Sequence, residues 1–536
     1  MRWYEYLLRG ILAGGAHASK NKCSPSAIQA ALPEGASVNF AYPVKAGETF
    51  KVPQSDTFYK TDPTGLPALC AVSVQVKSVG DSTYGFGLFL PDEWNDRFLA
   101  VGNGGFAGGI HYLDMSAGAR YGFATMSTDT GHNSSVVDGT WAANAPEKVE
   151  NWGHLAMHGS TVTAKLITAS YYKKKISYNY YSGCSTGGRQ GLKEAEEYPE
   201  DFDGIVAGAP AWFTKRMQPW TVKIALYNLP ATADYHIPPV LYPVIGKEVL
   251  KQCDSQDGLT DSIISDPVGC KFEPEKLLCA EGATDDCLTS PQLNTLYNIY
   301  HDTMSSNQTY PFPSFYLGSE GDWAANLPAS GPSPLGTHYV QYFLGLGKDW
   351  QPKDFNEDIE RLADEQDPGN ATVGYDLSAY HRKGGKILSY HGLSDASIPT
   401  GSTPLFHDQV QQQLSSTGVD VNSFFRYFLV PGMGHCSRTT DAFKAPWYFA
   451  GPNQASVLGN TVHSVPGFED EQHDALLAMM AWVEKGKAPE AIIATKYEDE
   501  SKHDKVHRQR PLCMLPKVAK YKGQGNADEA KNWECK

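Results

Sequence analysis

From about residue 85 to residue 210 the chain alternates strand-like with helix-like runs, which restricts it to a parallel sheet with crossover helices. Residues 97–102 read as a strand ending in a glycine-rich loop, 121–130 as a second strand and 159–172 as a helix. Residues 176–182 read as a third strand and 187–198 as a helix. The pattern returns near residue 385, where 386–390 and 424–430 are apolar and strand-like and 469–485 predicts a long terminal helix. Between 212 and 375 the periodicity is lost, and that interval holds four of the ten cysteines, two of the three Asn-x-Ser/Thr sequons and the proline-rich stretch 310–314. A chain of 536 residues exceeds the usual size of one compact domain. The expectation is an α/β domain made of 19–211 and 376–536, interrupted by a loop-rich, disulfide-stapled insertion over 212–375 that forms a lid.

The strand-like run ending at Ser182 is followed by Gly183-Cys184-Ser185-Thr186-Gly187 and then by a helix. This is the G-x-S-x-G pattern in a strand-turn-helix context, where glycines permit a turn sharp enough to present a serine hydroxyl. Out of that context the pentapeptide is a weak signal, with a plain glycine-rich turn as its alternative. A serine hydroxyl is a poor nucleophile at neutral pH and needs an imidazole base oriented by a carboxylate. Asp395 follows the strand-like 386–390, and His435 follows the strand-like 424–430 within Pro431-Gly432-Met433-Gly434-His435-Cys436. The order Ser, Asp, His is that of α/β-hydrolases. Asp408 and Asp441 are rivals for the acid, but the first lies in a helix-like stretch and the second directly behind His435; His391 reads as a structural residue. An oxyanion needs two backbone donors. The amide of Thr186 and that of Gly105, in the glycine-rich loop 102–106, are the candidates, with Gly105 preferred to Gly104.

The cysteines fall in local couples, Cys23 with Cys70, Cys253 with Cys270, Cys279 with Cys287 and Cys513 with Cys535. No Cys-x-x-Cys is present, which removes the zinc-ribbon and thioredoxin readings and leaves an oxidising compartment. Cys184 and Cys436, next to the nucleophile and the base, have no local partner; if they pair with each other, a disulfide ties the two catalytic loops. Sequons at Asn133, Asn307 and Asn370 agree with secretion. So do Arg2, Arg9, a short apolar stretch from Ile11 and Ala16-His17-Ala18, which read as a signal peptide over 1–18. No apolar run is long enough to span a bilayer, and a net charge of −15 opposes nucleic acid and anionic membranes as partners.

The Cys-Ser, Asp, His-Cys arrangement resembles the tannase and feruloyl esterase family over nearly the whole chain, most specifically at 183–191, 201–210 and 432–436. The resemblance implies an α/β-hydrolase fold with a large disulfide-rich lid, and hydrolysis of phenolic-acid esters of plant cell walls by a secreted enzyme. Hydroxycinnamoyl esters are the expected substrates, with galloyl esters (a tannase) as the alternative. A further alternative is a homologue that binds phenolics or polysaccharide without turnover, against which intact Ser185, Asp395 and His435 argue. The resemblance also implies a structural calcium ion in the lid, at Asp254, Asp257 and Asp261 with the carbonyls of Leu259 and Ile263. Three carboxylates within eight residues suit a hard cation, and Ser265 at the twelfth position from Asp254 excludes an EF-hand. No organic cofactor is expected.

Overall fold

The strands around the Gly-Cys-Ser-Thr-Gly segment are short, apolar and buried on both faces, as a sheet covered by helices on both sides requires. In a computed structural model, which describes residues 22–282, 285–302, 312–440 and 442–536, they form the middle of a nine-stranded sheet. The expected leader over 1–18, Asn307 and Asp441 lie outside the described residues.

The strands are β1 (Ala36–Val44), β2 (Leu69–Lys77), β3 (Thr83–Pro91), β4 (Arg97–Val101), β5 (Ala124–Thr128), β6 (Tyr178–Cys184), β7 (Gly204–Gly208), β8 (Lys386–Gly392) and β9 (Phe425–Val430). They lie in the order β1-β2-β3-β5-β4-β6-β7-β8-β9. β1, β2, β3 and β5 pair antiparallel, and from β5 to β9 every pair is parallel. Alternation along β4 divides the core: Phe98 and Ala100 pack on one side of the sheet, Leu99 and Val101 on the other. The helices used below are α1 (Tyr112–Arg120), α2 (Ala156–Tyr172), α3 (Thr186–Glu197), α4 (Thr214–Leu226), α5 (Tyr242–Cys253), α6 (Ser290–Tyr300), α7 (Glu357–Gln366), α8 (Ser402–Leu414), α9 (Pro452–Leu458) and α10 (Ala475–Lys485).

The strand order reverses around β4. The chain leaves β4 for β5 on one side and returns to β6 on the other, so a crevice opens at the adjacent carboxyl ends of β4 and β6. The loop after β4 and the turn after β6 meet there. A Cβ on Gly102 would lie 2.6 Å from the Cα of Gly187, so only glycine lets these two segments touch.

Three expectations need correction. The second strand begins at Ala124, because Tyr121 still caps α1. The terminal helix begins at Ala475 rather than at 469, because Asp474 is its N-cap and accepts the amides of Leu476 (2.8 Å) and Leu477 (3.2 Å). The interval between β7 and β8 is richer in helix than its sequence suggests, with α4 to α7 inside it. Pro219 within α4 disguises that helix, and Asn356 caps α7 ahead of three acidic residues in its first turn. This interval is not separately cored. Trp220, Ile224, Tyr242 and Trp323 belong to the same apolar cluster as Tyr181, Ile205 and Ile387 of the sheet.

Candidate active site

Ser185 sits between β6 and α3 with φ 63° and ψ −125°, a strained conformation for a residue with a side chain. The strain is held by its neighbours. Ser185 N–H donates to Gly208 O (3.0 Å), and Ser185 O accepts from Arg189 N (3.0 Å) and Ala211 N (3.1 Å), so the turn is fixed to the end of β7.

Asp395 lies in the turn after β8 and is fully buried. Its Oδ1 accepts the amides of Ser397 (2.7 Å) and Ile398 (2.9 Å), while its Oδ2 lies 2.8 Å from His435 Nδ1 and 3.0 Å from His391 Nε2. His435 lies in the loop after β9, which Ser394 N–H ties to the Asp395 turn by donating to Met433 O (3.0 Å). With Nδ1 engaged by the carboxylate, Nε2 of His435 is the nitrogen left for a reacting group. Ser185, His435 and Cys436 line one cavity of about 470 Å³. Among the described residues Ser185 Oγ makes no hydrogen bond, a common resting state for a group whose contacts tighten on substrate. Of the rival acids, Asp408 projects from α8 into solvent beside His407.

Burial alone would raise the Asp395 carboxyl, but His435 and His391 hold it well below the usual carboxylate range. Burial opposes a charge on His435, yet Asp395 outweighs it, and Asp322 from the inserted segment adds to the attraction; the imidazole is raised above its ordinary value. His391 thus shares the carboxylate of Asp395, and its Nδ1 is fixed by Thr403 Oγ1 at 2.8 Å. Sequence alone reads it as structural, because its partner becomes visible only when the turn folds Asp395 back over it.

The 102–106 loop separates its two glycine candidates. Gly104 N–H donates to Tyr59 Oη at 3.1 Å, whereas Gly105 N–H has no protein acceptor among the described residues. The carbonyl of Gly105 accepts from Thr186 Oγ1 (3.0 Å) and Trp152 Nε1 (3.2 Å), which fixes the peptide. Gly105 has φ +51°, and a Cβ there would crowd Val136. Thr186 is the first residue of α3, so its N–H has no partner within the helix.

Cys184 and Cys436 are joined, with Cα atoms 5.9 Å apart across 252 positions of chain. The other disulfides are Cys23–Cys70, Cys253–Cys270, Cys279–Cys287 and Cys513–Cys535.

The residues expected to hold calcium follow α5 in a loop closed by Cys253–Cys270. Asp254 is buried and accepts the amides of Asp261 (3.1 Å), Ser262 (3.0 Å) and Ile263 (3.3 Å). Asp257 accepts from Leu259 N (3.0 Å) and Ser265 Oγ (2.6 Å), and Asp261 pairs with Arg510. Three carboxylates in one loop are the donor type a hard divalent cation takes, but among the described residues they do not bring one oxygen each within 4.8 Å of one another. Ligand-type atoms do converge so at His158, Glu194 and Asp201, between α2 and α3. That cluster is already balanced: His158 Nδ1 is 2.6 Å from Asp201 Oδ2, Lys165 lies 3.7 Å from Asp201 Oδ1, and burial pushes Glu194 far above the usual carboxylate range. Of the sequons, Asn133 is exposed and its carboxamide binds Ser55 and Thr57, while Asn370 is exposed and binds Lys193 and Glu197.

A mixed sheet with a serine elbow after one central strand, and an acid and an imidazole on turns after two later ones, defines an α/β-hydrolase. The model for "Tannase and feruloyl esterase" matches residues 70–333 and 348–536. A probable feruloyl esterase B-2 of Aspergillus fumigatus is 32% identical over 519 residues, covering 96% of this chain and 95% of the relative. The crystal structure of feruloyl esterase B from Aspergillus oryzae superimposes with a TM-score of 0.88 at 29% identity, over 96% of this chain and all of that one. Tannin acyl hydrolase from Aspergillus niger shares the fold at a TM-score of 0.74 and 20% identity, over 96% of this chain and 95% of that one. The chain belongs to the tannase and feruloyl esterase family.

Proposed function

We propose that this chain is a secreted serine carboxylic ester hydrolase that releases hydroxycinnamic acids from plant cell-wall esters. The observation that carries the reading is the 2.8 Å contact between the buried Asp395 and His435, whose loop Cys436 bonds to the serine turn. His435 Nε2 takes the proton of Ser185 Oγ as the oxygen adds to the ester carbonyl. The amides of Gly105 and Thr186 receive the oxyanion. His435 then protonates the departing alcohol, leaving an acyl-serine, and water repeats the sequence to release the acid and restore Ser185. Labelling of Ser185 by a fluorophosphonate separates this reading from a homologue that only binds.

The feruloyl rather than galloyl preference rests on the named relatives and on length. A cinnamoyl ring stands one vinylene farther from the attacked carbon than a galloyl ring. A pocket of cinnamoyl depth leaves the gallate ring short of its contacts and its hydroxyls unpaired, so remote binding energy is lost from the transition state. Across methyl ferulate, methyl caffeate, methyl sinapate and methyl gallate, the specificity constants should be lowest for the gallate. A clear preference for gallate makes the protein a tannase.

In this reading residues 212–375 are the lid, and calcium held by Asp254, Asp257 and Asp261 with the Leu259 and Ile263 carbonyls stiffens it. Serine hydrolysis needs no Lewis acid, so chelation should lower Tm while initial rates at low temperature survive. Immediate loss of all activity from a still folded protein would contradict a structural role. The five disulfides suit an oxidising compartment, and none of the described helices is long and apolar enough to cross a membrane. Glycans at Asn133, Asn307 and Asn370 belong to the same proposal and would be read by intact mass before and after deglycosylation.

A further inference from the structure

The cavity around Ser185 is lined by apolar side chains, Met217, Leu335 and Ile398 among them, and by few ionisable ones. Apart from His435, its ionisable lining residues are Tyr59, His111 and Asp114. These three form one unit. The rings of Tyr59 and His111 meet edge to face at 4.2 Å, and His111 Nδ1 stands 2.9 Å from Asp114 Oδ2. Phe58 meets Tyr59 at 4.7 Å.

The unit is held rigidly. Asp56 is buried and accepts the amides of Phe58 (3.1 Å) and Tyr59 (2.9 Å) with one oxygen and that of Ile110 (2.7 Å) with the other, locking the aromatic turn to the start of α1. Part of its hydrogen-bonding capacity is nevertheless unused. Tyr59 Oη accepts from Gly104 N, but its own proton has no protein acceptor among the described residues, and Asp114 Oδ1 has no donor. Helix α9 connects the unit to the loop of His435. Gln454 of α9 donates to Cys436 O (3.0 Å), α9 packs on α1, and Asn453 and Ser456 of α9 line the cavity too. The base hands its proton to the leaving alcohol, so groups connected to its loop are placed for the alcohol half of the ester.

We propose that Phe58, Tyr59, His111 and Asp114 form a subsite for the alcohol, built for a sugar. This rests on the esterase reading above and names the half of the substrate which that reading leaves open. A pentose offers hydroxyl donors to a carboxylate, a hydroxyl acceptor to the Tyr59 proton and a C–H face to an aromatic ring. Conversely, a carboxylate in this wall opposes an alcohol that itself carries a carboxylate, such as quinate. The rival role for Asp114 is local: it lies in the first turn of α1, where an acidic residue favours the helix whatever the substrate.

The test compares one acid on three alcohols: methyl ferulate, 5-O-feruloyl-arabinofuranose and feruloylquinate. Asp114→Asn should lower the ratio of the arabinose-ester to methyl-ester specificity constants by about tenfold, the scale of one lost hydrogen bond to a charged group. It should raise the quinate-to-methyl ratio. His111→Gln should shift the first ratio in the same direction and serves if Asp114→Asn does not fold. In the Ser185→Ala protein, calorimetry should show Asp114→Asn weakening the arabinose ester more than methyl ferulate. Unchanged ratios, or an equal loss on all three esters, would overturn the subsite and leave Asp114 a helix residue. Failure of the unsubstituted protein to turn over any of the three would overturn the esterase reading instead, with calorimetry still deciding whether the wall binds sugar.

Discussion

Ser185→Ala should lower kcat for methyl ferulate by about a millionfold while leaving Tm nearly unchanged, because it removes one oxygen from a turn whose backbone is held by Gly208, Arg189 and Ala211. His435→Ala should cost about as much, since nucleophile and base act as a unit. Asp395→Asn should cost less, about 10⁴-fold, because the serine and imidazole remain but the ring loses its charged partner. The pH profile gives an independent reading. The base works only when neutral, and the raised pKa of His435 keeps it protonated to higher pH, so kcat/KM should fall as pH drops through a value above the ordinary histidine pKa of about 6.5. The residual activity of Asp395→Asn should lose that limb at lower pH, and Asp322→Asn should shift it slightly in the same direction. Near-normal turnover by Ser185→Ala rejects the assignment.

Replacing Cys184 and Cys436 together by serine should be the most damaging loss of a disulfide. A bridge spanning 252 positions restrains the unfolded chain by about 5.5 kcal/mol in the loop-entropy picture, against about 3.4 kcal/mol for the 22 positions spanned by Cys513–Cys535. The activity loss should exceed what unfolding explains, because this bridge alone joins residues adjacent to the serine and to the imidazole. Rates at a temperature where both variants are folded separate the effects: Cys513→Ser with Cys535→Ser should keep its turnover and the Cys184/Cys436 variant should not. Equal turnover in the two would reduce the bridge to a stabilising tie.

What could be read from the sequence follows from how local each signal is. The parallel strands β4, β6, β8 and β9 announce themselves because each is an apolar run ending in a glycine- or proline-bearing turn, whereas β7, five residues with a glycine at either end, is not among the predicted strands. Nor do the antiparallel strands β1 to β3 announce themselves. β2 is buried on both faces and lacks alternation, and β3 carries Gly85 and Gly87, which read as loop but are packed under Asp129 and Tyr112. Gly105 could be preferred to Gly104, but the physical ground, a Tyr59 hydroxyl occupying the Gly104 amide, comes from a residue 45 positions away. The sharing of Asp395 by two imidazoles, the approach of Asp322 to His435 and the wall formed by Tyr59, His111 and Asp114 are likewise spatial and leave no periodic mark on the chain.

The long disulfide also sets a problem of biosynthesis. Cys184 emerges from the ribosome 252 residues before Cys436, a wait of roughly 10–50 s at ordinary elongation rates. Four other cysteines, Cys253, Cys270, Cys279 and Cys287, emerge during that wait and close two short loops of their own. The thiol beside the nucleophile therefore waits longest for its partner, and a premature bond to one of those four has to be exchanged late in folding before the native bridge can close. A host compartment that oxidises without isomerising should accumulate chains in which the insertion is covalently caught on the serine turn, whereas one that supplies a disulfide isomerase should release them as active protein.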